Sequence, residues 1–140
     1  RRMTVDASGV TVLDVFDSFM GDLISGFGVD IKFDGGRIYT TSGRVIDPET
    51  RTVVGTFSGA TSLSVRPDVV LGRVFFLIPT GGPTVKVTAY DLNTRQLLGT
   101  EEIPGISGSP SNLIRWGSKG LAFRTTGGQV FLVESPNLIP

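Results

Sequence analysis

The sequence predicts an all-β chain. Three observations predict it: apolar residues alternate in short runs, Gly, Pro, Asp and Ser separate the runs, and one ten-residue stretch recurs 44 residues further on. Alternation at period two puts every second side chain on one sheet face, and short runs bounded by turn formers are strands rather than helices. The 140 residues include 19 Gly and 8 Pro, with 39% hydrophobic and 19% charged residues. That composition is rich in turns but too apolar for a disordered chain, and the length is that of one ordinary domain.

The elements follow in order. Residues 4–6 and 10–15 flank Ala7-Ser8-Gly9 and read as a hairpin, the core of an expected outer-strand unit over 1–19. Asp14, Phe16, Asp17, Phe19 and Met20 show some 3.6-residue spacing, but Gly21, Gly26 and Gly28 surround them, so a loop with at most one short helix is expected there. Strands over 29–33, 37–41, 44–47 and 52–57 form a first group, spanning 29–59. A second group, 62–105, has strands over 62–65, 72–78, 85–91 and 96–103, with a longer loop at 79–83. The third, 112–135, has strands over 112–116, 120–124 and 129–133 and no obvious fourth.

An internal repeat relates the groups. Residues 47–56 and 91–100 share Asp, Thr, Arg, Gly and Thr at five of ten positions. The strands before them also correspond, Gly36-Arg37-Ile38-Tyr39 with Gly72-Arg73-Val74-Phe75, and Gly120-Leu121-Ala122-Phe123 reads as a third copy. Asp47 and Asp91 stand where a carboxylate caps the N–H groups of a turn two or three residues on, and Thr50 and Thr94 close the same turns. The aromatics Tyr39, Phe75, Trp116 and Phe123 are expected as core between neighbouring units.

A unit of roughly 40–45 residues with four antiparallel strands has the period of a β-propeller blade. The expected fold is therefore about three propeller blades in a single partial unit over 1–140, the ring incomplete within one chain. Residues 36–52 and 113–125 carry the patterns Gly-Arg-Ile-Tyr…Gly-Arg-Val-Ile-Asp-Pro-Glu-Thr-Arg-Thr and Leu-Ile-Arg-Trp-Gly…Gly-Leu-Ala-Phe-Arg-Thr. In these the chain resembles bacterial extracellular β-propeller repeat proteins with YVTN/NHL/quinoprotein-like blades. The resemblance implies a bacterial protein that works outside the cell or on its surface.

The strand count leaves the last unit short of an outer strand, and the N-terminal hairpin has no inner strands. Unpaired strand edges are templates for pairing. Val5, Val10 and Val12 of the hairpin and Val130 and Leu132 of the last strand are thus the expected assembly edge. The acceptor is either the chain's own last unit or that of an adjacent copy, and the count equally allows a piece of a larger ring. The opening Arg1-Arg2-Met3-Thr4 lacks the apolar core of a signal peptide and reads as the middle of a protein or a processed end.

Function is bounded mainly by exclusion. His and Cys are absent, which removes a Ser-His-Asp triad, imidazole or thiolate metal ligands, disulfides and thiol nucleophiles. Thirteen basic residues balance thirteen acidic ones, so no net field favours nucleic acid, and no apolar run is long enough for membrane insertion. Asp14, Asp17 and Asp22 lack the alternating spacing of a calcium loop. No catalytic residue, metal or cofactor is expected. Ten arginines against three lysines include Arg37, Arg73 and Arg124, placed where an anionic sugar or an inter-unit ion pair would use them. The expected function is a non-catalytic extracellular structural or interaction module, partnered by copies of itself or by further blades. The alternative is a carbohydrate-binding or carbohydrate-active propeller fragment with glycans as partners.

Overall fold

The computed structural model describes residues 1–15, 23–24 and 26–140. Among them the chain has only strands, grouped in four antiparallel sheets. The N-terminal hairpin pairs β1 (Arg2–Asp6) with β2 (Gly9–Asp14). The first four-stranded sheet runs β3 (Ile31–Asp34), β4 (Arg37–Thr40), β5 (Arg44–Asp47) and β6 (Thr52–Thr56). The second runs β7 (Ser64–Asp68), β8 (Arg73–Pro79), β9 (Thr84–Asp91) and β10 (Leu97–Pro104). The third holds β11 (Pro110–Trp116), β12 (Gly120–Thr125) and β13 (Val130–Glu134). Each sheet is a meander with spatial neighbours consecutive in sequence. Most of the segment expected as a loop with a short helix lies outside the described residues.

The second sheet is the middle of a stack, and its sequence shows why. Val74, Phe75, Phe76 and Leu77 of β8 are all buried without alternation, as befits a strand covered on both faces. Val74 and Phe76, with Val65 and Tyr90, pack on Tyr39, Val45, Phe57 and Ala60 of the first sheet and its connection. Phe75 and Leu77, with Val87 and Ala89, pack on Leu113, Leu121, Phe123 and Val133 of the third. Phe57, Phe76 and Tyr90 form an aromatic trio with centroids 5.5, 5.5 and 5.6 Å apart, tilted or edge-on as ring quadrupoles prefer.

Two glycines 44 residues apart let the sheets approach. The Arg95 guanidinium, from the turn after β9, lies over Gly55 of β6 and donates from Nη2 to the Val54 carbonyl at 2.9 Å. Asn137, beyond β13, lies over Gly99 of β10 and donates from Nδ2 to Glu101 Oε1 at 2.9 Å. The shared Gly of the repeat is thus a seat for the turn of the following sheet.

Three expectations are corrected. Trp116 is not core: it is 43% exposed. It ends β11 opposite Gly120, with its ring against that glycine at the mouth of the hairpin, on the sheet face turned away from the stack. The third copy is also displaced by one residue. Arg73 pairs with Asp68 and Asp91, and Gly120, not Leu121, holds the matching place between Trp116 and Glu134. Phe123 therefore faces back onto the second sheet, whereas Tyr39 and Phe75 face forward onto the sheet that follows each. Finally, the N-terminal hairpin does not complete its own chain's third sheet; it is a separate two-stranded sheet. Arg2 pairs with Glu49 at 3.6 Å, and Asp14 pairs with Arg51, which ties the hairpin to the first sheet's turn instead.

Candidate functional site

The repeat turns are the most regular polar feature. Asp47 Oδ1 accepts from the N–H groups of Glu49 (2.8 Å) and Thr50 (3.0 Å), and Asp91 Oδ1 from those of Asn93 (2.8 Å) and Thr94 (2.7 Å). The Asp47 and Asp91 carbonyls accept from Arg51 and Arg95 at 2.9 Å each, and those arginines take φ of 59° and 60°. The left-handed residue turns the chain into the next strand. Thr50 Oγ1 bonds Thr52 Oγ1 at 2.9 Å, and Thr94 Oγ1 accepts from the Gln96 N–H at 3.4 Å.

A related turn, not singled out in the sequence, follows β13; it starts at Ser135, one residue past the place that Asp91 holds in the register, and its fifth residue is not left-handed. The Ile139 N–H donates to the Ser135 carbonyl at 2.9 Å, and the Asn137 N–H to Ser135 Oγ at 3.2 Å. Ser135 follows Asp91 by 44 residues, as Asp91 follows Asp47. The period alone would have found it, but Ser in place of Asp hides the motif.

The Thr50 N–H foremost, with those of Glu49 and the Arg37 guanidinium, holds the Asp47 carboxyl below its usual range; the Thr94 and Asn93 N–H groups do the same for Asp91. A carboxylate with a lowered folded pKa contributes stability that is present above its unfolded pKa and lost as pH falls through the folded one. Stability should therefore decline below about pH 4. The double variant Asp47→Ala/Asp91→Ala should have a lower urea midpoint at neutral pH and a flatter acid dependence. An unchanged acid slope in the double variant would remove these caps from the account.

Of the groups weighed as ligand contacts, Asp14 pairs with Arg51 and both Arg37 and Arg73 are engaged within the fold, whereas Asp17 and Asp22 lie outside the described residues. Arg37 pairs with Asp47 at 3.0 Å, and Arg73 donates to the Leu138 carbonyl. Asp30 pairs with Lys32 at 2.9 Å, and Asp34 accepts from the Val69 N–H at 3.1 Å. Among the described residues no three acidic groups converge as a metal site needs.

What the stack leaves bare is apolar, and it lies at its two ends. Among the described residues β13 bonds only β12, so its other edge is open there. The register places Ile114, Ala122 and Leu132 on the outer face of the third sheet, with Val130 and Trp116, and of these only Ala122 is buried. At the opposite end, Phe33, Ile38 and Ile46 of the first sheet line a recess of about 460 Å³ together with Leu23, Ile24 and the hairpin residues Arg2 and Asp14, and Ile46 is buried there. Phe33 is 68% exposed. The hairpin itself leaves Val5, Val10 and Val12 exposed. Contiguous exposed apolar surface and open strand edges are features that interaction surfaces share in general. Comparison of the chain with known protein families, with curated proteins and with solved structures finds no match.

Proposed function

We propose that the chain is a non-catalytic structural module of propeller-type sheets, bacterial and extracellular, that associates with copies of itself. The hairpin of one copy adds to the open edge of β13 in the next. One observation carries the reading: among the described residues the third sheet stops at three strands with an apolar edge, while the hairpin is a two-stranded ribbon that pairs with no other strand. A lone two-stranded ribbon is marginal in water, and an open apolar edge recruits a strand. Strand addition joins them through backbone hydrogen bonds, with alternate side chains setting the register. The resemblance of residues 36–52 and 113–125 to extracellular bacterial repeats supports the setting.

Light scattering and electron microscopy of the 140-residue chain test this. Rings or linear assemblies are expected. A chain lacking residues 1–15 should stay monomeric and exchange the amide protons of 130–133 faster at concentrations where the full chain is assembled. A full chain that is monomeric throughout, with the deletion leaving exchange unchanged, would reject the reading. Glycan-array binding by such a monomer would favour a sugar-binding role instead.

A further inference from the structure

The two bare ends of the stack are halves of one kind of interface. The last residue of the first strand in each sheet reaches toward the sheet that follows. Asp34 Oδ2 accepts from the Val69 N–H across the first junction, at 3.1 Å, and Asp68 pairs with Arg115 across the second, at 3.0 Å. Trp116 is third in this series. It ends β11 as Asp34 ends β3 and Asp68 ends β7, each opposite the start of the next strand. Among the described residues no sheet stands in front of it.

The other half lies on the first sheet. Phe33 precedes Asp34 in β3 as Arg115 precedes Trp116 in β11, so Phe33 holds the place of the residue that receives Asp68. Phe33 pairs with Ile38 as Pro67 pairs with Val74. Pro67 and Val74 are buried, whereas Phe33 is open to solvent. Likewise Ala122 and Leu132 are paired as Phe75 and Ala89 are, and that second pair is buried against the third sheet. Phe33 and Leu132 are thus exposed at places whose counterparts, Pro67 and Ala89, the same chain covers.

Resting on the self-association reading above, we infer that the outer face of the third sheet docks onto the first sheet of a second copy, with Trp116 of one copy against Phe33 of the next. The occupant is a second copy because the contact continues the chain's own sheet-to-sheet series, and the chain carries both halves. Where the inner junctions use Asp34 and the Asp68–Arg115 pair, this junction replaces charge with two aromatic rings, a combination typical of the anchors of protein interfaces. The two faces differ, so the contact is heterologous and propagates head to tail until it closes or extends as a filament.

The sequence supplies the probes: one Trp and no Cys. As concentration rises and the mass increases, Trp116 emission should move to the blue and iodide quenching should fall. Phe33→Asp, at an exposed position, should abolish both changes. Under mild oxidation, a mixture of the single variants Trp116→Cys and Phe33→Cys should form a mixed disulfide several-fold faster than either variant alone. Equal or faster disulfide formation by either variant alone would overturn the heterologous contact. If the mass rises in a hairpin-dependent way while Trp116 stays quenchable and no mixed disulfide forms, the face contact is wrong and strand addition stands. If the mass never rises, both fall.

Discussion

Phe75→Ala and Phe76→Ala should each cost about 3–5 kcal/mol of folding free energy. Both side chains have no solvent exposure, and they are adjacent on one strand yet belong to different cores. Phe75 belongs to the cluster with Leu113, Leu121 and Phe123, and Phe76 to the trio with Phe57 and Tyr90. Truncating either opens a cavity on one side of the second sheet that close-packed neighbours on the other side cannot relax into. A domain of this size has about 5–15 kcal/mol in total, so either loss shifts the urea midpoint far toward zero. Trp116→Ala in the monomer should cost about 1 kcal/mol or less, as exposed substitutions do. Urea titrations of the three variants at low protein concentration check this. Midpoints of the Phe variants within error of the parent would refute the two-sided packing of β8.

The contrast between Phe75 and Trp116 shows where sequence reading succeeds. Strands and turns were legible because their signals are local: period-two alternation, and Asp or Gly at fixed offsets from a strand end. Tyr39, Phe75 and Phe123 read as core and are buried. Trp116 read as core from its position in the repeat, but its side chain is governed by which face it takes at the end of β11 and by pairing with Gly120. The one-residue displacement of the third sheet has a similar origin. The likeness of 120–123 to 72–75 is a likeness of residue types, whereas facing is decided by cross-strand partners and by connections of different length, 69–72 in one hairpin and 117–119 in the other. The hairpin's seat was illegible because it depends on Arg2 with Glu49 and Asp14 with Arg51, pairs far apart in sequence and of ordinary surface type. Of the surface proposed for association, the edge residues Val130 and Leu132 were expected from the missing strand, whereas Phe33 and Ile114 carried no signal until the stack showed which residues were exposed.

Gly99→Ala should destabilise the fold by about 1–3 kcal/mol, in the range of overpacking, whereas Gly55→Ala at the same place in the repeat should change stability by about 0.5 kcal/mol or less. Neither glycine has positive φ, so backbone strain does not enter, and what differs is the neighbour. A Cβ at Gly55 would meet the Arg95 guanidinium, the far end of a flexible side chain that can swing into solvent. A Cβ at Gly99 would overlap the Asn137 carbonyl oxygen and lie 3.0 Å from its carbon. That carbonyl belongs to the turn held by Ser135, and the next residues, Leu138 and Ile139, are buried in the core between the second and third sheets. The backbone cannot retreat without withdrawing both. Alanine also restricts the unfolded chain, which favours folding by about 0.4–1 kcal/mol where the native backbone tolerates it, so Gly55→Ala is expected near neutral or slightly stabilising. Paired urea titrations decide the matter, with hydrogen exchange at Leu138 and Ile139 accelerated in Gly99→Ala alone. Equal costs at the two glycines would mean that the Ser135 turn does not seat on β10 as the Asp91 turn seats on β6.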